Sequence, residues 1–192
     1  MNFYLDITLI PGADIGHYFL WGKVYKQIHL GLVAIQNYHG LSPIGISFPE
    51  YSNELCSLGS KLRIFAEDKV VLENFNAKKW LNFLSDYTHI TSIREVPQNI
   101  CSYVRFKRKQ SKSNLERLAR RKAKYEAISF DQALELLKNR KEQLINAPYI
   151  NISSNSSGES FKIFIIKEVA HELINNGFSC YGLSATSTLP NF

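Results

Sequence analysis

SYVRFKRKQSKSNLERLARRKAKY, residues 102–125, divides the chain and sets what each half can be. It holds ten Lys and Arg and a single acid, Glu116, for a net charge of +9. The whole 192-residue chain carries +6, so everything outside the stretch is slightly acidic, at −3. A near-neutral body with one concentrated cationic element is the electrostatic footprint of a nucleic-acid binder. Within the stretch, Tyr103, Arg105, Lys107 and Lys109 alternate with Val104, Phe106 and Arg108, which predicts a strand with one polar face. Ser113 and Glu116 then have the spacing of a capping box, so a helix is expected to begin there. At 100° per residue, Arg117, Arg120, Arg121 and Lys124 share one arc. Leu115, Leu118, Ala119, Ala123 and Tyr125 share the other, with Lys122 expected to snorkel out from it. A face kept only for solubility mixes signs; this arc does not.

Upstream of the basic stretch, Phe3, Leu5, Ile7 and Leu9 alternate with Tyr4, Asp6 and Thr8, the pattern of a half-buried strand ended by Pro11-Gly12. Asp14 suits an N-cap, and Trp21, Val24, Tyr25, Ile28 and Leu32 recur at helical spacing from Ile15 to Gln36, with Gly22 and Gly31 weakening the helix locally. Strands are predicted at Ile44–Phe48, Leu62–Ala66 and Ile90–Val96, with a helix over Lys69–Tyr87 interrupted near Asn74–Asn76. The order is β-α-β-β-α-β, which implies a ferredoxin-like arrangement over residues 1–97.

Downstream, Ser129 and Gln132 form a second capping box ahead of a helix over Phe130–Asn146. Strands are expected at Tyr149–Ser153, Phe161–Lys167 and Phe178–Leu183. The expected fold class is therefore α+β. A ferredoxin-like domain (1–97) carries His29, and an α/β RNA-binding half (98–192) carries the arginine-rich helix and a Ser-rich loop.

Composition excludes several classes. No apolar run approaches the ~18 residues a membrane span needs. The opening MNFYLDITLIPG has neither a basic n-region nor a cleavage-like site. Three widely spaced cysteines argue against a disulfide framework and suit a reducing cytoplasm. CxxC, HExxH, P-loop and GxGxxG patterns are missing, so no metal or cofactor is expected.

Among residues with chemistry, His29 sits beside the apolar positions Ile28 and Leu32, where a histidine is ordinarily packing or surface. Ser153–Gly158 supplies hydroxyls and amides that can hold phosphate or ribose oxygens, Ser154, Ser156 and Ser157 among them, although on composition alone a plain hairpin loop is the better fit. RNA strand scission needs only a base for the 2′-OH, in-line geometry and a proton for the leaving oxygen.

Six segments in colinear order resemble one family. They are Tyr4-Leu5-Asp6-Ile7, Ile28-His29-Leu30-Gly31-Leu32-Val33, Ile44-Gly45-Ile46-Ser47-Phe48-Pro49, Gln110 to Leu118, Ser154-Asn155-Ser156-Ser157-Gly158 with Phe161, and Gly177 to Ser184. The family is the CRISPR repeat-RNA endoribonuclease of type I-F (Ypest-subtype) systems, in the repeat-associated mysterious protein superfamily.

The resemblance implies binding of a hairpin in the precursor repeat and metal-independent cutting at its 3′ base. The products carry a 2′,3′-cyclic phosphate and a 5′-OH, and the protein stays with the mature crRNA and other subunits of the surveillance complex. It places the catalytic histidine at His29, the serine that holds the 2′-OH at Ser154 and a supporting tyrosine at Tyr181. Arg108 and Gln110 fall on readers of base edges, Phe161 on the aromatic beneath the terminal base pair, and Arg117, Arg120, Arg121 and Lys124 on the groove-bound helix. Lys112 joins the same RNA-facing set, as do Ser156 and Ser157. Ala119, Lys124 and Tyr125 stand where the best-known relative has arginine. A non-catalytic subunit that caps the hairpin shares the RNA-binding residues but does not need His29 or Ser154. A general RNA chaperone would show no preference among hairpins.

Overall fold

The computed structural model describes residues 1–12, 15–100, 102–110, 115–138, 145–153 and 158–192. The fold is α+β, with two antiparallel sheets and five α-helices among these residues. Compactness divides the chain into two units, Met1–Lys109 with Ala147–Phe192, and Gln110–Asn146. The expected boundary at 97/98 falls inside the first of them.

The first sheet has β1 (Phe3–Leu9) at its centre. It pairs antiparallel with β3 (Lys61–Ala66) on one side, Leu5 opposite Ile64 and Asp6 opposite Arg63. β2 (Gly45–Ser47) extends the sheet beyond β3. On the other side of β1, two short strands replace the single one expected over Ile90–Val96. These are β4 (Thr88–Ile90), opposite Ile7–Leu9, and β5 (Arg94–Glu95), opposite Phe3 and Tyr4. Leu5, Ile7 and Leu9 enter the main core with Leu20, Trp21, Val24, Ile28 and Leu32 of α1 (His17–Ile35).

The other face of β1 is buried too, which corrects the half-buried expectation. Tyr4 packs with Phe65, Phe178 and Leu189. Asp6 accepts from Arg63 Nε at 2.7 Å and Nη2 at 3.1 Å, and Arg63 Nη1 donates to the Phe192 carbonyl at 2.8 Å. A charged side chain tolerates such burial only when paired and hydrogen-bonded.

Between β3 and β4 the helix predicted over Lys69–Tyr87 is interrupted within the expected Asn74–Asn76. α2 (Lys69–Phe75) stops at Asn76, whose φ of +46° ends it, and the Asn76 side chain then caps α3 (Ala77–Trp80). A 3₁₀ segment, Asn82–Tyr87, follows.

The second sheet runs β7-β8-β6-β9. β6 (Tyr103–Lys109) is the basic strand predicted, with Val104 and Phe106 buried in the same core as the first sheet. It pairs along its length with β8 (Ser160–Ala170), which outruns the expected Phe161–Lys167. Glu168 lies opposite Arg105 and pairs with both Arg105 and Lys107, so the two cations share one carboxylate and the cluster keeps a single positive charge. β7 (Tyr149–Ser153) flanks β8, and β9 (Leu189–Pro190) is an additional short edge.

α1 rests on β7 through Gly22. A Cβ there would sit 2.5 Å from the Asn151 carbonyl oxygen, so only glycine allows this approach. Phe178–Leu183, expected as a strand, is a turn. Phe178 bridges to Ser42, Gly182 N donates to Ser179 O at 2.8 Å, and Gly182 has a φ of +68°. That conformation is open to glycine and strained for other residues.

The second unit is a helix pair, α4 (Leu115–Glu126) and α5 (Phe130–Leu137). The Ser129 capping box forms as predicted. Ala119 and Ala133 are fully buried, small side chains suited to close helix contact. The Ser113 capping box, the Asp14 cap and Leu144 lie outside the described residues.

Candidate active site and nucleic-acid interface

His29 is half-buried on α1, one turn beyond the fully buried Tyr25. Its Nδ1 lies 2.8 Å from the Cys180 carbonyl oxygen. A carbonyl only accepts, so Nδ1 carries the proton, and in the neutral ring Nε2 keeps the lone pair. The imidazole stacks on the Tyr181 ring, with centroids 4.2 Å apart and planes 7° from parallel. The Tyr181 carbonyl in turn accepts from the Tyr25 hydroxyl at 2.7 Å. Two residues four apart on α1, and so on one face, therefore grip consecutive carbonyls of the 178–183 turn. The orientation of the imidazole follows from that grip.

Arg108 closes the cluster from the end of β6. Its guanidinium carbon is 5.7 Å from the Tyr181 centroid and 5.7 Å from the Phe161 centroid, within cation–π range of both. Burial raises the Tyr181 hydroxyl above the usual phenol range, with the nearby Cys180 thiol adding to the shift and Arg108 opposing it. Burial likewise raises the Cys180 thiol, against the pull of its own backbone hydrogen bond and Arg108. Tyr25 is raised further, by complete burial and by Tyr181 and Cys180. All three stay neutral around the imidazole at neutral pH.

Four residues singled out from sequence, His29, Tyr181, Arg108 and Phe161, thus meet in one place. Ser154, Ser156, Ser157 and Lys112 lie outside the described residues. The chain just before the serine loop is tied to the same helix: Lys26 Nζ, three residues before His29, donates to Ser153 Oγ at 3.1 Å. Sequence reasoning missed Tyr25, Lys26 and the Cys180 carbonyl. Lys26 shares a helical face with His29, a signal that was available; the carbonyl leaves none. Among the described residues, no group of three or more His, Cys, Asp or Glu side chains is placed to hold a metal ion.

In the second unit, Arg117, Arg120, Arg121 and Lys124 are exposed on α4, and Gln110 is exposed at the unit's start. Arg120 pairs with Glu116 at 3.7 Å. Lys122, half-buried, pairs with Glu126 at 2.7 Å. Tyr125 departs from its expected apolar side and is 90% exposed. No helix among the described residues is long and apolar enough to cross a membrane.

The family profile described as CRISPR-associated protein (Cas_Csy4) matches residues 4–192. The chain is 33% identical over 193 residues to the CRISPR-associated endonuclease Cas6/Csy4 of Escherichia coli (strain UTI89 / UPEC), covering all of both chains. It is 32% identical over 196 residues, again covering all of both chains, to the CRISPR-associated endonuclease Cas6/Csy4 of Pseudomonas aeruginosa (strain UCBPP-PA14).

Proposed function

The chain belongs to the Cas_Csy4 family of CRISPR-associated proteins, and from that premise we propose that it is a metal-independent endoribonuclease that cuts CRISPR precursor RNA at the 3′ base of the repeat hairpin. The observation that carries the reading is the His29 imidazole, held by the Cys180 carbonyl and the Tyr181 ring with its Nε2 lone pair left for a substrate proton. Nε2 takes the proton of the ribose 2′-OH, and the 2′-oxygen attacks the adjacent phosphorus. The P–O5′ bond breaks as the 2′-O–P bond forms, giving a 2′,3′-cyclic phosphate and a 5′-OH. In-line displacement puts O5′ on the far side of phosphorus from the 2′-oxygen, so one imidazole cannot serve both at once, and the leaving oxygen takes its proton from water.

Ser154 holds the ribose 2′-OH in this reading, and Tyr181 keeps His29 in place. Arg108 and Gln110 read base edges at the foot of the stem, Arg suiting the O6/N7 edge of guanine and Gln the N6/N7 edge of adenine. Phe161 stacks under the last base pair, which fixes where the stem ends and so where the cut falls. The exposed Arg117, Arg120, Arg121 and Lys124 grip stem phosphates, with Lys112, Ser156 and Ser157 adding contacts nearby. The protein acts in the cytoplasm and stays on the mature crRNA with the other subunits of the surveillance complex.

The test is a cleavage assay on the repeat hairpin of the protein's own locus in excess chelator, with a 2′-deoxy substitution at the cut site as control. All-ribose RNA is expected to be cut and the deoxy version bound but not cut. His29→Ala is expected to abolish cutting and leave binding largely intact. Tight binding of both RNAs with no cutting of either would reject the enzyme in favour of a hairpin-capping subunit.

A further inference from the structure

Beside the His29 cluster lies a groove of about 440 Å³ that the hairpin reading leaves without a purpose. It runs along the N-terminal half of α1, walled by Tyr18, Phe19, Lys23 and Lys26 on the helix and by Tyr149 and Lys162 on the sheet. Its floor is the close contact of Gly22 with Asn151.

Its chemistry is of one kind. Among the described residues no acidic side chain lines it, and three lysines do. Each lysine on the rim keeps an aromatic or hydroxyl neighbour. Lys23 Nζ is 5.0 Å from the Phe19 centroid, Lys162 Nζ is 4.4 Å from the Tyr149 centroid, and Lys26 bonds Ser153. Tyr18 and Phe19 are each 60% exposed, and Tyr18 faces Tyr149 at 5.7 Å. Aromatic faces open to solvent between lysines are the platform-and-rail arrangement that binds single-stranded nucleic acid, with bases on the rings and phosphates on the cations. An acidic protein segment would satisfy the lysines and leave the rings unused. A duplex would use the lysines and hide its base faces.

Position supports the same occupant. Lys26 precedes His29 by three residues, about 4.5 Å of helix rise, and Tyr18 by eleven, roughly 16 Å. A strand leaving the cut site along α1 would therefore meet Lys26 first and the aromatic end a few nucleotides later.

We propose that this groove binds the single-stranded RNA flanking the repeat hairpin, anchoring it beside the scissile phosphate. The inference rests on the hairpin-nuclease reading above. Both the 5′ and the 3′ flank leave the foot of the stem and share this chemistry, so the experiment separates them.

Dissociation constants would be measured at fixed salt for three RNAs, each 2′-deoxy at the cut site: the bare stem-loop, the stem-loop with a 5′ single-stranded extension, and the stem-loop with a 3′ extension. Wild-type protein would be compared with Phe19→Ala and with the double variant Lys23→Gln, Lys162→Gln. One extension is expected to tighten wild-type binding roughly 5- to 10-fold per base stacked. Both variants should lose that gain while binding the bare stem-loop as wild type does. The extension that gains identifies the flank. No gain from either extension, or a gain that survives both variants, overturns the proposal. Failure of wild type to bind the bare stem-loop would instead reject the hairpin reading. Thermal melts of the variants confirm folding, which substitution of these outward side chains should leave intact.

Discussion

The His29 imidazole lies flat on the Tyr181 ring, 4.2 Å between centroids and 7° from parallel, while the Cys180 carbonyl holds its Nδ1. The contact uses the face of the phenol and not its hydroxyl. Tyr181→Phe is therefore expected to keep the single-turnover cleavage rate within about threefold. Tyr181→Ala frees the imidazole to tilt, and misplacement of a base by about 1 Å can cost on the order of 100-fold. A Phe variant as slow as the Ala variant would mean that the hydroxyl takes part in the chemistry.

The close approach of α1 to β7 gives a second prediction. In an ordinary exposed helix Gly22→Ala would gain about 1 kcal/mol of helix propensity. Here the added methyl would sit 2.5 Å from the Asn151 carbonyl oxygen, a backbone atom that cannot swing aside. The variant is expected to lose roughly 1–3 kcal/mol as α1 is pushed off the strand. Urea denaturation measures the loss, and a stabilised Gly22→Ala would mean the helix has room to shift.

Those two cases mark what could be read from residues alone. Periodicity placed β1, α1, β6 and α5 because each buries an apolar stripe set by local spacing. It missed that both faces of β1 are covered, because Asp6 looks like a solvent-facing residue until Arg63, 57 residues on, pairs with it. Phe178–Leu183 has the apolar and aromatic composition of a strand, but Gly182 at φ +68° turns it back. Gly22 and Gly31 read as weak points of a helix, yet both are sites where another element comes within van der Waals reach. His29 looked ordinary on its own helix. Its partner is a main-chain oxygen 151 residues away, and a carbonyl has the same identity under every side chain.

The Asp6–Arg63 pair gives a third prediction. Both side chains are almost fully buried, and the guanidinium also bonds Phe192 and stacks against the Tyr4 and Phe192 rings at 4.7 and 4.2 Å. Arg63→Ala leaves the Asp6 carboxylate buried without its cation, and a loss of about 3–5 kcal/mol is expected. Replacing both, as Asp6→Leu with Arg63→Leu, should recover most of it. Equal losses in the single and double variants would place the cost in the lost ring packing instead.

Cleavage should hold level on the alkaline side. Tyr181 and Cys180 flank His29 and are acids that become anions on losing a proton. Burial is the first cause of both upward shifts, so each group keeps its proton to higher pH than it would in water. Neither group is then mostly ionised between about pH 7.5 and 8.5, the upper end being where an exposed cysteine thiol is already half-ionised. Single-turnover rates are expected to stay within twofold across that window. A tenfold fall per pH unit would show that one of the two groups ionises there.

The basic helix makes a prediction that separates neighbouring cations. Arg121 is exposed on α4, whereas Lys122 is half-buried and pairs with Glu126 at 2.7 Å. A cation that neutralises an RNA phosphate releases counterions on binding, so its loss makes the slope of log affinity against log salt shallower by about one unit or less. Arg121→Gln is expected to produce that change together with weaker hairpin binding. Lys122→Gln should leave the slope unaltered, because its charge already belongs to Glu126. Arg120 stands between the two: at 3.7 Å its contact with Glu116 is an exposed i,i+4 pair, worth no more than a few tenths of a kcal/mol. It can therefore turn to a phosphate at little cost, and Arg120→Gln is expected to resemble Arg121→Gln. A slope that responds to Lys122 and not to Arg121 would mean that the RNA lies on the opposite side of the helix.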